Sequence, residues 1–128
     1  MSAPSPSIDT GRGSATVEFA LVIPVVLLVL VALVEVAVVA RVQLELLGAA
    51  RQGARVAATN PDPANAVDAV HGALSEGAVQ QVIVTVERPA VVGREAVVEL
   101  AMTHRLASAL FGGVPVNLSA RSVMRVER

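Results

Sequence analysis

The stretch Gly13–Val42, GSATVEFALVIPVVLLVLVALVEVAVVARV, decides how the rest of the chain is read. From Phe19 to Ala40 it runs for about 22 residues with one charged side chain, Glu35, and at about 1.5 Å per residue such a helix reaches about 33 Å, enough for a hydrocarbon core of about 30 Å. The segment is long enough to cross a membrane. A secretory signal would carry a shorter apolar region and then a small-residue cleavage site, whereas this run passes straight into RVQLELLGAARQGARVAA, which keeps helical spacing. The competing reading is a buried helix of a water-soluble domain, disfavoured by length. Val is a modest helix former in water, but in lipid a helix is the only way for an isolated segment to satisfy its backbone. Pro24 lies near the start of the run, where a missing N–H is best tolerated.

Outside this stretch little material remains for a large soluble core, because the chain has 128 residues in all. Its apolar fraction is 54% with 2% aromatic, so Val, Ala and Leu supply the hydrophobicity rather than the rings that anchor ligand pockets. With a formal charge of -1 and no Lys, nothing offers the basic, aromatic surface that nucleic acid requires. Cysteine is absent, which excludes a disulfide framework and thiolate metal sites.

The sequence divides into a polar leader at residues 1–13, a transmembrane helix at 14–41 and an α+β domain at 42–128. The leader MSAPSPSIDTGRG is rich in Pro and Ser and is expected to be disordered. It carries only Arg12 and the amino terminus against Asp9, while Arg41, Arg51 and Arg55 follow the span. By the positive-inside count alone, orientation is open and leans toward the C-terminal part facing the cytoplasm.

Two carboxylates stand against the apolar pattern. An acid deep in a bilayer costs about 2.5–3.5 kcal/mol on insertion scales. Glu35 lies about five residues from the end of the run, close enough to bend toward headgroups or to meet a partner. Glu18 sits at the opposite rim near Ser14 and Thr16, where the positive end of the helix favours an anion. Capping accounts for Glu18 alone. It does not account for the order of a polar leader ending in Gly13, a small residue, an acid at Glu18 and then an unbroken apolar helix.

In that order GSATVEFALVIP resembles the processing region of prepilins, specifically the TadE-like pseudopilins of the tight-adherence (Flp) pilus machinery. The resemblance extends through the block Ala49, Ala50, Arg51, Gly53, Ala54, Arg55, Ala57 and Ala58, and so covers about Gly13–Ala58. It implies cleavage between Gly13 and Ser14 by a prepilin peptidase on the cytoplasmic side, which makes Glu18 the fifth residue of the mature chain. It also implies that the leader is cytoplasmic and the C-terminal domain extracytoplasmic. One residue departs from the pattern: Phe19 stands where Flp-type sequences often have tyrosine. Glu18, Phe19 and Glu35 become the residues expected to set assembly and register. A cleaved ammonium would lie one helical turn from Glu18, so a carboxylate on one helix can neutralise the terminus of its neighbour.

Beyond Ala40 the helix is expected to continue to about Thr59, where NPDP stops it. Arg51 and Arg55 lie four apart and repel unless carboxylates face them. With Gly53 they are either packing contacts in an assembly or part of a solvated face. A short second helix fits PANAVDAVHGALSE, with Ala66, Val67, Val70 and Leu74 on one side. The period then changes to two. VIVTVER, EAVVELAMTH and VNLSARSVMRVE put Val82, Val84 and Val86, then Val98, Leu100 and Met102, then Val116, Leu118, Ala120, Met124 and Val126 on inner faces. RPAVVGR and FGGVP supply the breakers. The expected fold class is α+β: a long N-terminal transmembrane helix extended by an amphipathic half, a short second helix and a small antiparallel sheet of about three strands, a pilin-like arrangement.

Catalytic chemistry finds no residues. His71 and His104 are solitary, without metal-ligand spacing, and Glu95 and Glu99 read as an exposed rim of one strand face. No phosphate loop or nucleophile elbow occurs. The expectation is a non-enzymatic membrane protein without metal or cofactor, a structural pseudopilin whose partners are the membrane, a prepilin peptidase and other pilin-like subunits. The alternative is an uncleaved, single-pass membrane-anchored extracytoplasmic binding module.

Overall fold

In the computed structural model, residues 1–3, 10–107 and 112–127 are described. Residues 4–9 of the expected leader and Phe111 of the FGGVP breaker lie outside the described residues. Helix α1 (Thr10–Thr59) is one uninterrupted helix of 50 residues that contains Pro24. Its first turn therefore includes Gly13, and its end falls at the position that NPDP marks. The chain forms two compact units, Met1–Val34 and Glu35–Arg128.

The first unit is the apolar part of α1. Phe19, Leu21, Val25 and their neighbours up to Leu30 are exposed, as are Leu33 and Val34, with Val31 and Ala32 half-buried, and within the most apolar window only 6% of residues are buried. A core helix of a soluble domain hides such side chains; this one presents them all round.

The second unit begins with the amphipathic half of α1. Helix α2 (Pro63–Ala73), the single turn α3 (Glu76–Val79) and strands β1 (Ile83–Glu87), β2 (Glu95–Arg105) and β3 (Pro115–Arg125) follow. The strands pair antiparallel in the order β1-β2-β3. Leu100 stands opposite Val84 on one side and Ala120 on the other. The inner face of β2, Ala96, Val98, Leu100 and Met102, meets the buried row of α1 that holds Leu46, Ala50, Ala54 and Ala57. Small residues along α1 let the helix approach closely, most of all at Gly53. A Cβ there would lie 2.5 Å from Val70 Cγ2 and 3.3 Å from Val98 Cγ1, so Gly53 is the point where α1, α2 and β2 converge.

Each end of these elements has a local cause. Asp62 caps α2 by accepting from the Ala64 N–H at 3.0 Å, with Pro63 in the first turn. The last carbonyls of α1, which have no intrahelical partner, receive the Arg88 guanidinium Nε on Ala57 O at 2.7 Å and the Glu127 N–H on Ala58 O at 2.9 Å. The β1–β2 connection turns at Gly93 with φ 87°, a left-handed conformation that glycine adopts without strain.

Two details differ from the sequence pattern. Helix α2 stops at Ala73 instead of running to Glu76, and Leu74 turns to extended backbone. The Ser75 N–H donates to the Glu45 carboxylate of α1 rather than continuing the helix. Met124 keeps the inward register opposite Ala96 but is 39% exposed, unlike Leu118 and Ala120 earlier on the same strand.

Candidate assembly and processing site

Gly13, Ser14, Glu18 and Phe19 lie on the first three turns of α1. The Ser14 hydroxyl donates to Glu18 Oε1 at 3.3 Å, an exposed contact one turn long. The helix thus holds Ser14 and Glu18 together on one face, and Phe19 projects outward beside them. Gly11 and Gly13 each lower the helix propensity of this first turn by about 1 kcal/mol relative to Ala.

Glu35 is the one charged residue among the described residues that is buried, with 8% exposed, and it is not free of polar partners. It belongs to the second unit, on the same side of α1 as the core row. Arg51 and Arg55 are exposed, whereas Gly53 between them is buried. The structure therefore separates the three: Gly53 packs inside its own unit, and the two arginines face away from it.

The remaining candidates do not converge. Glu99 pairs with Arg121 across the outer sheet face at 3.3 Å, both well exposed. A shallow trough of about 410 Å³ crosses this outer face, lined by Ile83, Ala101 and Ser119 among others. His104 helps line a smaller cavity of about 240 Å³ with Glu45, Ser75 and Gln81, and its Nε2 is buried without a hydrogen-bond partner among the described residues. His71 stands apart on α2. Among the described residues no group of three His, Asp or Glu side chains gathers at a distance suited to a metal ion.

Sequence reasoning missed Gln43, Glu45 and Arg88, which tie α1 to the rest of its unit. Gln43 Nε2 donates to Ser119 O at 2.7 Å, and the partners of all three are at least 30 residues away, so no local signal marks them.

One exposed apolar helix at the N-terminus, followed by an α+β unit, fits a single-pass membrane protein. Over residues 13–55 the chain matches the family described as TadE-like protein, which covers Gly13, Ser14, Glu18, Phe19, Glu35, Arg51, Gly53 and Arg55. That family suggests a Tad pilus-related protein. No curated protein and no solved structure gives a match.

Proposed function

We propose that this chain is a structural pseudopilin, a minor pilin-like subunit in the assembly of a Flp/Tad-type pilus or a related secretion apparatus. The observation that carries the proposal is the TadE-like match over residues 13–55, falling on a helix whose apolar part is exposed all round. Such a surface is stable in lipid or against other helices, not in water.

In this reading a prepilin peptidase cuts between Gly13 and Ser14 on the cytoplasmic side of the membrane, and the C-terminal α+β unit is exported. The new ammonium at Ser14 lies one helical turn from Glu18, whose carboxylate already turns back toward Ser14 to accept its hydroxyl at 3.3 Å. Glu18 of one subunit and the terminus of the next neutralise each other where water is scarce, which fixes axial register between subunits. The protein then acts by association, without turnover chemistry.

The alternative, an uncleaved membrane-anchored binding module, draws on the trough across the outer sheet face. N-terminal sequencing of the protein taken from membranes, with and without an active prepilin peptidase, separates the two. The pseudopilin reading requires a chain beginning at Ser14 only when the peptidase is active; a chain still carrying Met1–Gly13 in both cases rejects it.

A further inference from the structure

We infer that the outward face of α1 between Arg41 and Arg55 is a docking surface for an acidic helix of a different membrane-anchored protein, and that it disfavours a second copy of this chain. The inference rests on the assembly role proposed above and specifies the partner. Arg41, Leu44, Gly48, Arg51 and Arg55 recur at three- and four-residue spacing, so they share one face, directly opposite the buried row of Leu46, Ala50 and Gly53. All five are exposed. Leu44, four residues past the apolar run, is 69% exposed, and an added Cβ at Gly48 would meet no atom within 4 Å. The face thus offers an apolar knob beside a notch where a second backbone can come close.

Charge decides what fits there. None of the three guanidinium groups has an ion pair or hydrogen bond among the described residues. From Arg41 to Thr59 the sequence holds one acid, Glu45, and its carboxylate is taken by the Ser75 N–H. Two copies anchored by the same span would present their helices in parallel at equal depth. At an interaxial distance of about 8–10 Å, Arg51 and Arg55 would face the same residues across about one Debye length. Self-pairing is therefore repulsive, whereas carboxylates on a neighbouring helix relieve both that repulsion and the one between Arg51 and Arg55. Anionic headgroups reach Arg41, but Arg51 and Arg55 lie about 15 and 21 Å farther along the helix, beyond effective screening range.

The test uses the full chain, which has no native cysteine, in vesicles of zwitterionic phosphatidylcholine. Gly48→Cys is introduced both into the wild-type background and into one carrying Arg51→Glu and Arg55→Glu. The second protein is the probe: the same helix with an acidic face. Two tag lengths distinguish mixed from like disulfide dimers. With the two proteins in equal amounts, chance alone gives about twice as much mixed dimer as either like dimer; mixed dimers should exceed that chance share by about threefold, as expected for two exposed charge pairs, with the enrichment lost at high salt. Neutral Arg51→Gln with Arg55→Gln should raise self-cross-linking above wild type. Each Arg→Glu change makes a net-negative chain more negative, so bulk attraction cannot produce the excess. With Thr85→Cys on the outer sheet face in place of Gly48→Cys, no preference should remain. Mixed dimers at their chance share from the Gly48→Cys proteins, or an equal enrichment over chance from the Thr85→Cys proteins, overturns the inference. The readout does not involve leader cleavage, so its failure and that of the proposed function are separately visible.

Discussion

A Cβ placed on Gly53 would stand 2.5 Å from Val70 Cγ2, so α1 and α2 meet here with no room for a side chain. Val70 is fully buried and β-branched, so its side chain has little freedom to swing away. Gly53→Ala should destabilise the protein by about 1–3 kcal/mol, the usual range for overpacking. Gly48→Ala, five residues earlier and with open space around it, should instead stabilise the helix by about 0.5–1 kcal/mol. Chemical unfolding of the full chain in detergent micelles, followed by circular dichroism, checks both. Equal effects at the two glycines would mean that backbone entropy, not contact, governs Gly53.

Arg88 supports a second prediction. Its Nε donates to Ala57 O at 2.7 Å in a half-buried position, where the negative end of α1 attracts a cation. Arg88→Ala removes a charged donor and leaves a carbonyl without its partner, at a cost of about 1.5–3 kcal/mol. Hydrogen exchange should quicken at the last turn of α1 and at the Glu127 amide, which bonds Ala58 O next door. Unchanged exchange there would show that Arg88 contributes nothing to that helix end.

The long helix and its end at Thr59 were legible because the apolar run and NPDP are local signals. The inner faces of β1, β2 and β3 were legible from the alternation of Val82–Val86, Val98–Met102 and Val116–Ala120, and the structure keeps that register. What escaped the sequence depends on contacts between distant residues. The early end of α2 follows from Glu45, 30 residues away, capturing the Ser75 N–H. RPAVVGR reads as a hairpin connection, which it is, but its Arg88 reaches across to α1 only because the fold brings Ala57 beside it. In the same way Gly53 lies in sequence between two exposed arginines, and only the position of Val70 reveals that it faces inward. Gly13, Ser14, Glu18 and Phe19 formed a recognisable pattern in the sequence, and the match over residues 13–55 spans those positions.

The outer face of the sheet gives a contrasting prediction. Glu99 Oε1 and Arg121 Nε approach to 3.3 Å, with 53% and 64% of the side chains exposed. A pair so accessible to water and salt is worth about 0.2–1 kcal/mol. Glu99→Gln should therefore change stability by no more than about 1 kcal/mol, and the difference should vanish at high salt. A loss of several kcal/mol in the same unfolding assay would show that this face is covered by a partner that desolvates the pair.

Glu18 offers the sharpest separation between folding and assembly. Its carboxylate is exposed and, among the described residues, held by the weak contact from Ser14 at 3.3 Å, so Glu18→Gln should leave the helix and its membrane insertion unchanged; a neutral amide enters lipid more readily than a carboxylate. Under the proposed function the defect appears one step later. A glutamine cannot neutralise the ammonium of a neighbouring subunit, and that ammonium would be left as an unpaired charge between helices. In cells with an active assembly system, Glu18→Gln should be processed at Gly13 and retained in the membrane, yet co-isolate poorly with its sister subunits. Glu18→Asp, which keeps the charge on a shorter side chain, should recover part of the loss. Co-isolation of the glutamine variant at wild-type level would sink the idea that this carboxylate sets register between subunits.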